Sequence, residues 1–421
     1  MHFWVKDVKK GLAVLIVGGI TGVVLLMLAY ALPVDRILEN ARASIEIFER
    51  EGPSPQTIAG YEATTLDNYT DAWMFRNAFY DGDESVLQKS LSVYYYGYHD
   101  GKARNVCESM IDYLNGVEGY HRRSYARYWH GYLILLKPLL CFFDYGDIRG
   151  ILKLTELSLL LWLCMLFERK KMARFLPALA VTMFCIGFHE IGQSMQYSWV
   201  FLIAVAASIY ILKKYPAMDG KWVFLVIGMC TSFFDFLTYP LFTLGMPLAV
   251  LLLCRVVSEE RKGAVKAVVL NSVFWGIGYF GFWAEKWILG TLLTEEDILA
   301  EALGSIIERT GRNVVDQPIG YVETVLENVG ILCKWPYVLA VLGVLVLIFA
   351  GMRKSRLRVS WELTAAWLLI AVFPFIWYAA AMNHSYVHAF MTYRDLGISI
   401  FAGLCMIISL KEMNRNEQKE T

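Results

Sequence analysis

Apolar stretches divide this chain at lengths close to what a bilayer requires. They fall at 12–32, 148–167, 175–191, 199–212, 222–236, 241–256, 265–283, 337–350, 363–381 and 396–410. About 20 helical residues cross about 30 Å of hydrocarbon, so each stretch is expected as a membrane-spanning helix. Two long polar intervals, 33–147 and 285–335, interrupt them. The first opens with Val34, Ile37, Leu38, Ala41, Ile45 and Phe48, which recur at helical spacing. Pro33 suits a first helical turn, and Glu51-Gly52-Pro53 stops the pattern. Residues 125–143 are amphipathic and then apolar, with Pro138 inside, and are expected as an interfacial helix. In the second interval, Thr294-Glu295-Glu296-Asp297 predicts a helix start. The expected fold is all-α and polytopic, with ten transmembrane helices in one integral membrane domain over 1–421. Its parts are a first helix (1–32), a large loop (33–147), helices two to seven (148–284), a second loop (285–335), and helices eight to ten with a tail (336–421).

Composition agrees. Of 421 residues 57% are hydrophobic and only 19% charged, against about 45–50% and about 25% in a soluble domain. The 39 basic and 39 acidic side chains cancel, so no basic excess points to nucleic acid. Basic residues do cluster in alternate connections: Lys6, Lys9 and Lys10; Arg169, Lys170, Lys171 and Arg174; Lys213, Lys214 and Lys221; Arg255, Arg261, Lys262 and Lys266; Arg353, Lys354, Arg356 and Arg358; Lys411, Arg415 and Lys419. By the positive-inside rule these are cytoplasmic, which places both termini inside a cell membrane and both long loops outside. Ala29-Tyr30-Ala31 resembles a signal-peptidase site, but the apolar run before it exceeds a signal core, so an uncleaved anchor is expected. Five of the eight cysteines fall inside apolar spans. Cys107 and Cys333 share the outer side, where a bridge is open.

Ionisable groups are expensive near hydrocarbon and lean toward function. In this orientation they gather at the outer ends of the spans. Asp67 and Asp71, four apart, share a helix face and are candidate general bases for a hydroxyl acceptor. The basic run Arg122 to Arg127 suits phosphate oxygens or headgroups, with Arg127, His130 and Lys137 nearest the membrane. Tyr69 lies between the acids. His189, Glu190 and Gln193 cap spans, as do Asp235, Tyr239 and, late in the chain, His384, His388 and Arg394. Each has a plainer reading: a structural His–Glu bond, an Asp235–Arg394 pair, or an arginine snorkelling to the interface. Tyr94-Tyr95-Tyr96 and Trp377-Tyr378 suit carbohydrate platforms or an aromatic belt. There is no phosphate-binding Gly-Lys-Ser/Thr loop, no Gly-x-Ser-x-Gly elbow and no His/Cys metal spacing.

One span, then a large outer loop with an acid near Asp67–Asp71 and interfacial helices, then many spans with a late Arg394, resembles the GT-C superfamily of integral membrane glycosyltransferases. The resemblance implies a polyprenyl-phosphate-linked sugar as donor and a cell-envelope glycan or lipid hydroxyl as acceptor. It implies Asp67 or Asp71 as base, and the lipid phosphate held among Arg127, Lys137 and Arg394. Tyr69, His130, His189, Glu190, Gln193, Asp235 and Tyr239 are the further substrate-binding candidates. No metal ligand set or cofactor is expected, though a divalent cation is left open. The Trp-Trp-Asp-x-Gly type signature is missing, as is a soluble C-terminal domain. Competing readings are a lipid or solute transporter or flippase, and an O-antigen-type ligase or polymerase.

Overall fold

The computed structural model describes residues 2–98, 105–314, 317–350 and 360–417. Arg353, Lys354, Arg356, Arg358 and Lys419 lie outside these described residues. The chain is nearly all helix. α1 (His2–Tyr30) leads into α2 (Val34–Ala43) and α3 (Ile45–Glu51). These two are the amphipathic element, broken at Ser44, with Ile37, Ala41 and Phe48 buried. Gly52, at φ 74°, ends α3 in a conformation that a side chain disfavours. α4 (Asn68–Ala78) follows, then strand β1 (Tyr94–Tyr98), which pairs antiparallel with β2 (Tyr120–Ser124). After α5 (Leu133–Leu140) comes the long α6 (Tyr145–Arg169). The bundle continues through α7 (Met195–Lys214), α8 (Gly220–Phe234), α9 (Phe242–Val257) and α10 (Ala264–Leu293). α11 (Ile298–Thr310) and α12 (Tyr321–Leu332) precede α13 (Trp335–Ala350), α14 (Trp361–Ala380) and α15 (Leu396–Glu417).

All ten apolar stretches contain a helix, but among the described residues only six helices are long and apolar enough to cross a membrane. α12 and α13, bent by 78°, make a seventh if counted as one. Three expected spans fall short. The stretch 175–191 breaks at Gly187, whose φ is 69°, after a helix ending at Cys185. α8 stops at Asp235, where the backbone is extended. α9 is buried on every side from Phe242 to Cys254. A helix enclosed by protein is apolar all round, as a lipid-facing one is, so hydropathy cannot separate them.

Other expectations change as well. Two small hairpins interrupt the all-α pattern, one built from the Tyr94–Tyr96 run and the Tyr120–Ser124 segment. The segment 125–143 is not one interfacial helix: only α5 forms, and the turn before it is interior. Trp129, His130 and Tyr132 are fully buried there, and His130 takes φ 55°, which no helix tolerates. Trp129 donates from Nε1 to the Phe282 carbonyl (2.7 Å), and the Gly131 amide donates to the Phe233 carbonyl (2.8 Å). Cys107 and Cys333 are both free, the first buried and the second exposed. Asp297 caps α11 by accepting from the Ala300 amide at 3.0 Å, so the helix begins at the end of the acidic run.

α8 and α10 cross at very short range. A Cβ on Gly228 would meet the Trp275 carbonyl oxygen at 2.1 Å, and one on Gly278 would meet the Leu225 carbonyl oxygen at 2.0 Å. Small residues let backbones approach in this way where lipid offers no hydrophobic drive between helices.

Candidate functional site

Asp67 is the N-cap of α4. Its Oδ1 accepts from the Thr70 amide (3.0 Å), and its own amide donates to Ser194 Oγ (3.0 Å). Capping consumes one carboxylate oxygen. The other, Oδ2, is buried without a hydrogen-bond partner among the described residues. Asp67 lines a cavity of about 590 Å³, within the range of about 300–1,000 Å³ typical of small-molecule sites. Burial raises its pKa above the ordinary carboxylate value, while the Thr70 hydrogen bonds and the Arg394 charge pull the other way. An unpaired, desolvated carboxylate of raised pKa is a competent proton acceptor.

Asp71 is different. Its oxygens accept from the Tyr145 hydroxyl (2.6 Å) and from the amides of Met195 (2.9 Å) and Gln196 (3.0 Å). It therefore caps the N-terminus of α7 from another helix, and burial pushes its pKa up to about 7. Its neighbourhood is braced by Arg149. That guanidinium bonds both Glu51 oxygens (3.0 and 2.9 Å), Asn68 Oδ1 (2.7 Å) and the Tyr145 hydroxyl (3.0 Å).

Arg127 and Arg309 line the same cavity. Arg127 pairs with Glu301 at 2.8 Å and stacks 4.6 Å from the Tyr125 ring. Arg309 bonds His384 Nδ1 at 2.6 Å, and His384 Nε2 lies 2.7 Å from the Leu237 carbonyl oxygen. An arginine only donates, so Nδ1 accepts and Nε2 carries the proton. His384 is neutral in this arrangement, and burial lowers its pKa well below the usual value. His388, 4.7 Å from it ring to ring, is pushed down to about 4 by burial and the Arg309 charge. At neutral pH the cations of this wall are the two arginines. The remaining lining includes Tyr69, Trp73, Tyr95, Tyr125 and Gln196, whose Oε1 is buried without a partner among the described residues. Arg127, Tyr128 and Arg309 also line a second, largely apolar chamber of about 280 Å³. Trp283, Trp287, Ala302, Ile306 and Trp377 close it, between α10, α11 and α14.

Of the residues singled out in the sequence, Asp67, Tyr69, Tyr95, Arg127, His384 and His388 line the cavity, and the charge of Arg394 is felt by Asp67. Arg394 is fully buried, 3.9 Å over the Tyr197 ring, and donates to the Phe390 carbonyl (2.7 Å). The others are elsewhere. Lys137 is buried against the Ala78 carbonyl (2.5 Å) and the Tyr30 ring, so it does not join Arg127 and Arg394 around a phosphate. His130 is held by Tyr132 and the Tyr125 carbonyl. His189 is exposed and Gln193 half-buried, and Glu190 accepts from Thr57 (2.7 Å). Asp235 closes its own turn through the Leu237 and Thr238 amides (3.0 and 3.1 Å) and makes no pair with Arg394. Tyr239 donates to the Tyr197 carbonyl (2.6 Å). Arg122 pairs with Glu84 on the hairpin. Arg309 was missed: it lies in the last turn of α11, within an interval that carries no motif, and only the fold brings it into the cavity that Asp67 lines. Among the described residues no group of three or more His, Cys, Asp or Glu side chains is placed to hold a metal ion. No protein-family model, curated protein or solved structure matches the chain.

Proposed function

We propose that this protein is a membrane-embedded glycosyltransferase of GT-C type, taking a sugar from a polyprenyl-phosphate donor. The observation that carries the reading is the shared wall: a polar cavity holding an unpaired carboxylate meets an apolar chamber at two arginines. A donor with an isoprenoid tail, a phosphate and a sugar has the same three parts in the same order. The tail occupies the chamber, the phosphate lies between Arg127 and Arg309, and the sugar enters the cavity beside Asp67. The acceptor, an envelope glycan or lipid, presents its hydroxyl to Asp67 Oδ2. As that oxygen takes the proton, the hydroxyl oxygen bonds to the anomeric carbon and the bond from that carbon to the phosphate oxygen breaks. The leaving lipid phosphate keeps the electron pair, and fixed guanidinium groups stabilise its charge. A single displacement inverts the anomeric configuration.

Asp67→Asn tests this in vesicles carrying the full chain, supplied with polyprenyl-phosphate-linked hexose or pentose bearing a radiolabel. Transfer is expected to fall by about 10²–10⁴-fold, the usual worth of a general base, with the protein still folded. Full transfer by Asp67→Asn removes the reading.

A further inference from the structure

Two side-chain oxygens of residues lining the polar cavity lack a hydrogen-bond donor. Asp67 Oδ2 is one and Gln196 Oε1 is the other. Neither has a partner among the described residues, and both residues are 1% exposed. They belong to one wall, because α4 and α7 meet there start to start. The Asp67 amide donates to Oγ of Ser194 (3.0 Å), the residue that precedes α7. Asp71, one turn along α4, accepts from the Gln196 amide (3.0 Å). An ionised carboxylate and an amide oxygen only accept, so neither can satisfy the other. A solute that displaces water from both must therefore donate twice. Half-buried aromatic rings line the same cavity. Trp73 lies 5.3 Å from Tyr125 and meets Tyr95 edge-on at 4.7 Å. The Arg76 guanidinium, 4.7 Å from the Trp73 centroid and 4.8 Å from that of Tyr95, holds both rings in place.

We infer that the acceptor is a carbohydrate presenting two adjacent hydroxyls, one to Asp67 and the next to Gln196, with a C–H face of its ring against Trp73 and Tyr125. The role of the first hydroxyl rests on the proposed transfer reaction; recognition of the second hydroxyl and of the ring does not. Gln196 takes no proton and is a specificity-determining residue. A sugar ring has apolar C–H faces and a rim of hydroxyls, which suit flat aromatic surfaces edged by acceptors. An alcohol at the end of a lipid, or a serine or threonine side chain, carries one hydroxyl. It satisfies Asp67 and leaves the Gln196 oxygen dehydrated and unpaired, which costs binding. A site built to pair a substrate hydroxyl rejects the analogue that lacks it. Of the two acceptor classes, glycan and lipid, this wall selects the glycan.

Saturation-transfer NMR on the full chain in lipid nanodiscs, without donor, tests recognition apart from reaction. The probes are the methyl pyranosides of glucose, mannose, galactose and xylose, each against cyclohexanol, a six-membered ring with one hydroxyl. At least one glycoside is expected to bind about tenfold more tightly than cyclohexanol, the worth of one buried hydrogen bond. Among its monodeoxy forms, one binds about tenfold more weakly. Gln196→Leu removes that difference while the protein still elutes as a single species on size exclusion. Cyclohexanol binding as tightly as every glycoside overturns the inference. Deoxy forms that all bind the wild-type chain like the unmodified glycoside overturn it too, as does a Gln196→Leu protein that still discriminates the same deoxy form. The glycoside that binds is then supplied with a radiolabelled polyprenyl-phosphate-linked sugar. Gln196-dependent binding without transfer defeats the proposed reaction and leaves the carbohydrate site standing. Transfer to a lipid alcohol but to none of the glycosides leaves the reaction and defeats the acceptor assigned here.

Discussion

Asp67 and Asp71 lie one helical turn apart, yet one caps its own helix and keeps an oxygen free while the other caps a distant helix with both. Asp71→Ala strands the Met195 and Gln196 amides and the Tyr145 hydroxyl in a buried region. Unpaired buried donors cost about 1–3 kcal/mol each, so its thermal midpoint in detergent is expected well below that of Asp67→Asn. The sequence shows both acids but not which faces the cavity, because that depends on where the start of α7 docks. His388 supplies a pH signature. Its folded pKa of about 4 lies below the unfolded value of 6.5, so the unfolded chain binds the proton first. Stability is then lost as pH falls from about 7 towards 4, by up to roughly 3 kcal/mol at 1.36 kcal/mol per unit. His388→Gln is expected to lose less stability than the parent between pH 7.5 and 5. The raised pKa of Asp71 works in the opposite direction, but it is common to both proteins and cancels in the comparison. A parent and variant with the same acid sensitivity contradict this assignment.

At the scale of elements, hydropathy located a helix in each of the ten apolar stretches, since period and apolarity are local properties of the chain, but it left α12 inside a loop. It did not separate crossing helices from enclosed ones. α9 reads as a span only because its neighbours wrap it. Nor did it reveal β1 and β2: three consecutive tyrosines read as a belt or platform, and the pairing partner lies beyond the loop. The glycines of α8 and α10 were silent too, because close approach is a property of a pair. Gly278→Leu is expected to force the two helices apart, against a Leu225 carbonyl that lies 2.0 Å from the added Cβ. Overpacking of this kind costs about 1–3 kcal/mol or more. A fall in thermal midpoint and a broadened size-exclusion profile are the readouts. Gly276→Leu, where a Cβ meets nothing within 4 Å, is the matched control.

For the molecule as a whole, the join between cavity and chamber is the central feature. Ala302 is a small residue on the chamber side, 2% exposed. Ala302→Trp is expected to fill the chamber and raise the KM for a long-chain polyprenyl donor by about tenfold, leaving a short-chain soluble analogue unaffected, since one filled apolar pocket is worth about 1–3 kcal/mol. Equal effects on both donors mean that the chamber does not hold the tail. That the chain is a mostly helical, membrane-type protein was readable from the sequence, whereas the meeting of Arg127 and Arg309 in one cavity was not, because they lie 182 positions apart.

The Gly228–Gly278 crossing also limits what the molecule can do mechanically. Two backbones that touch have no room to roll, so the helices beneath the cavity form a fixed keel rather than a rocker. Any breathing that admits a ligand is then expected in α11 and the β1–β2 ribbon rather than in this helix pair.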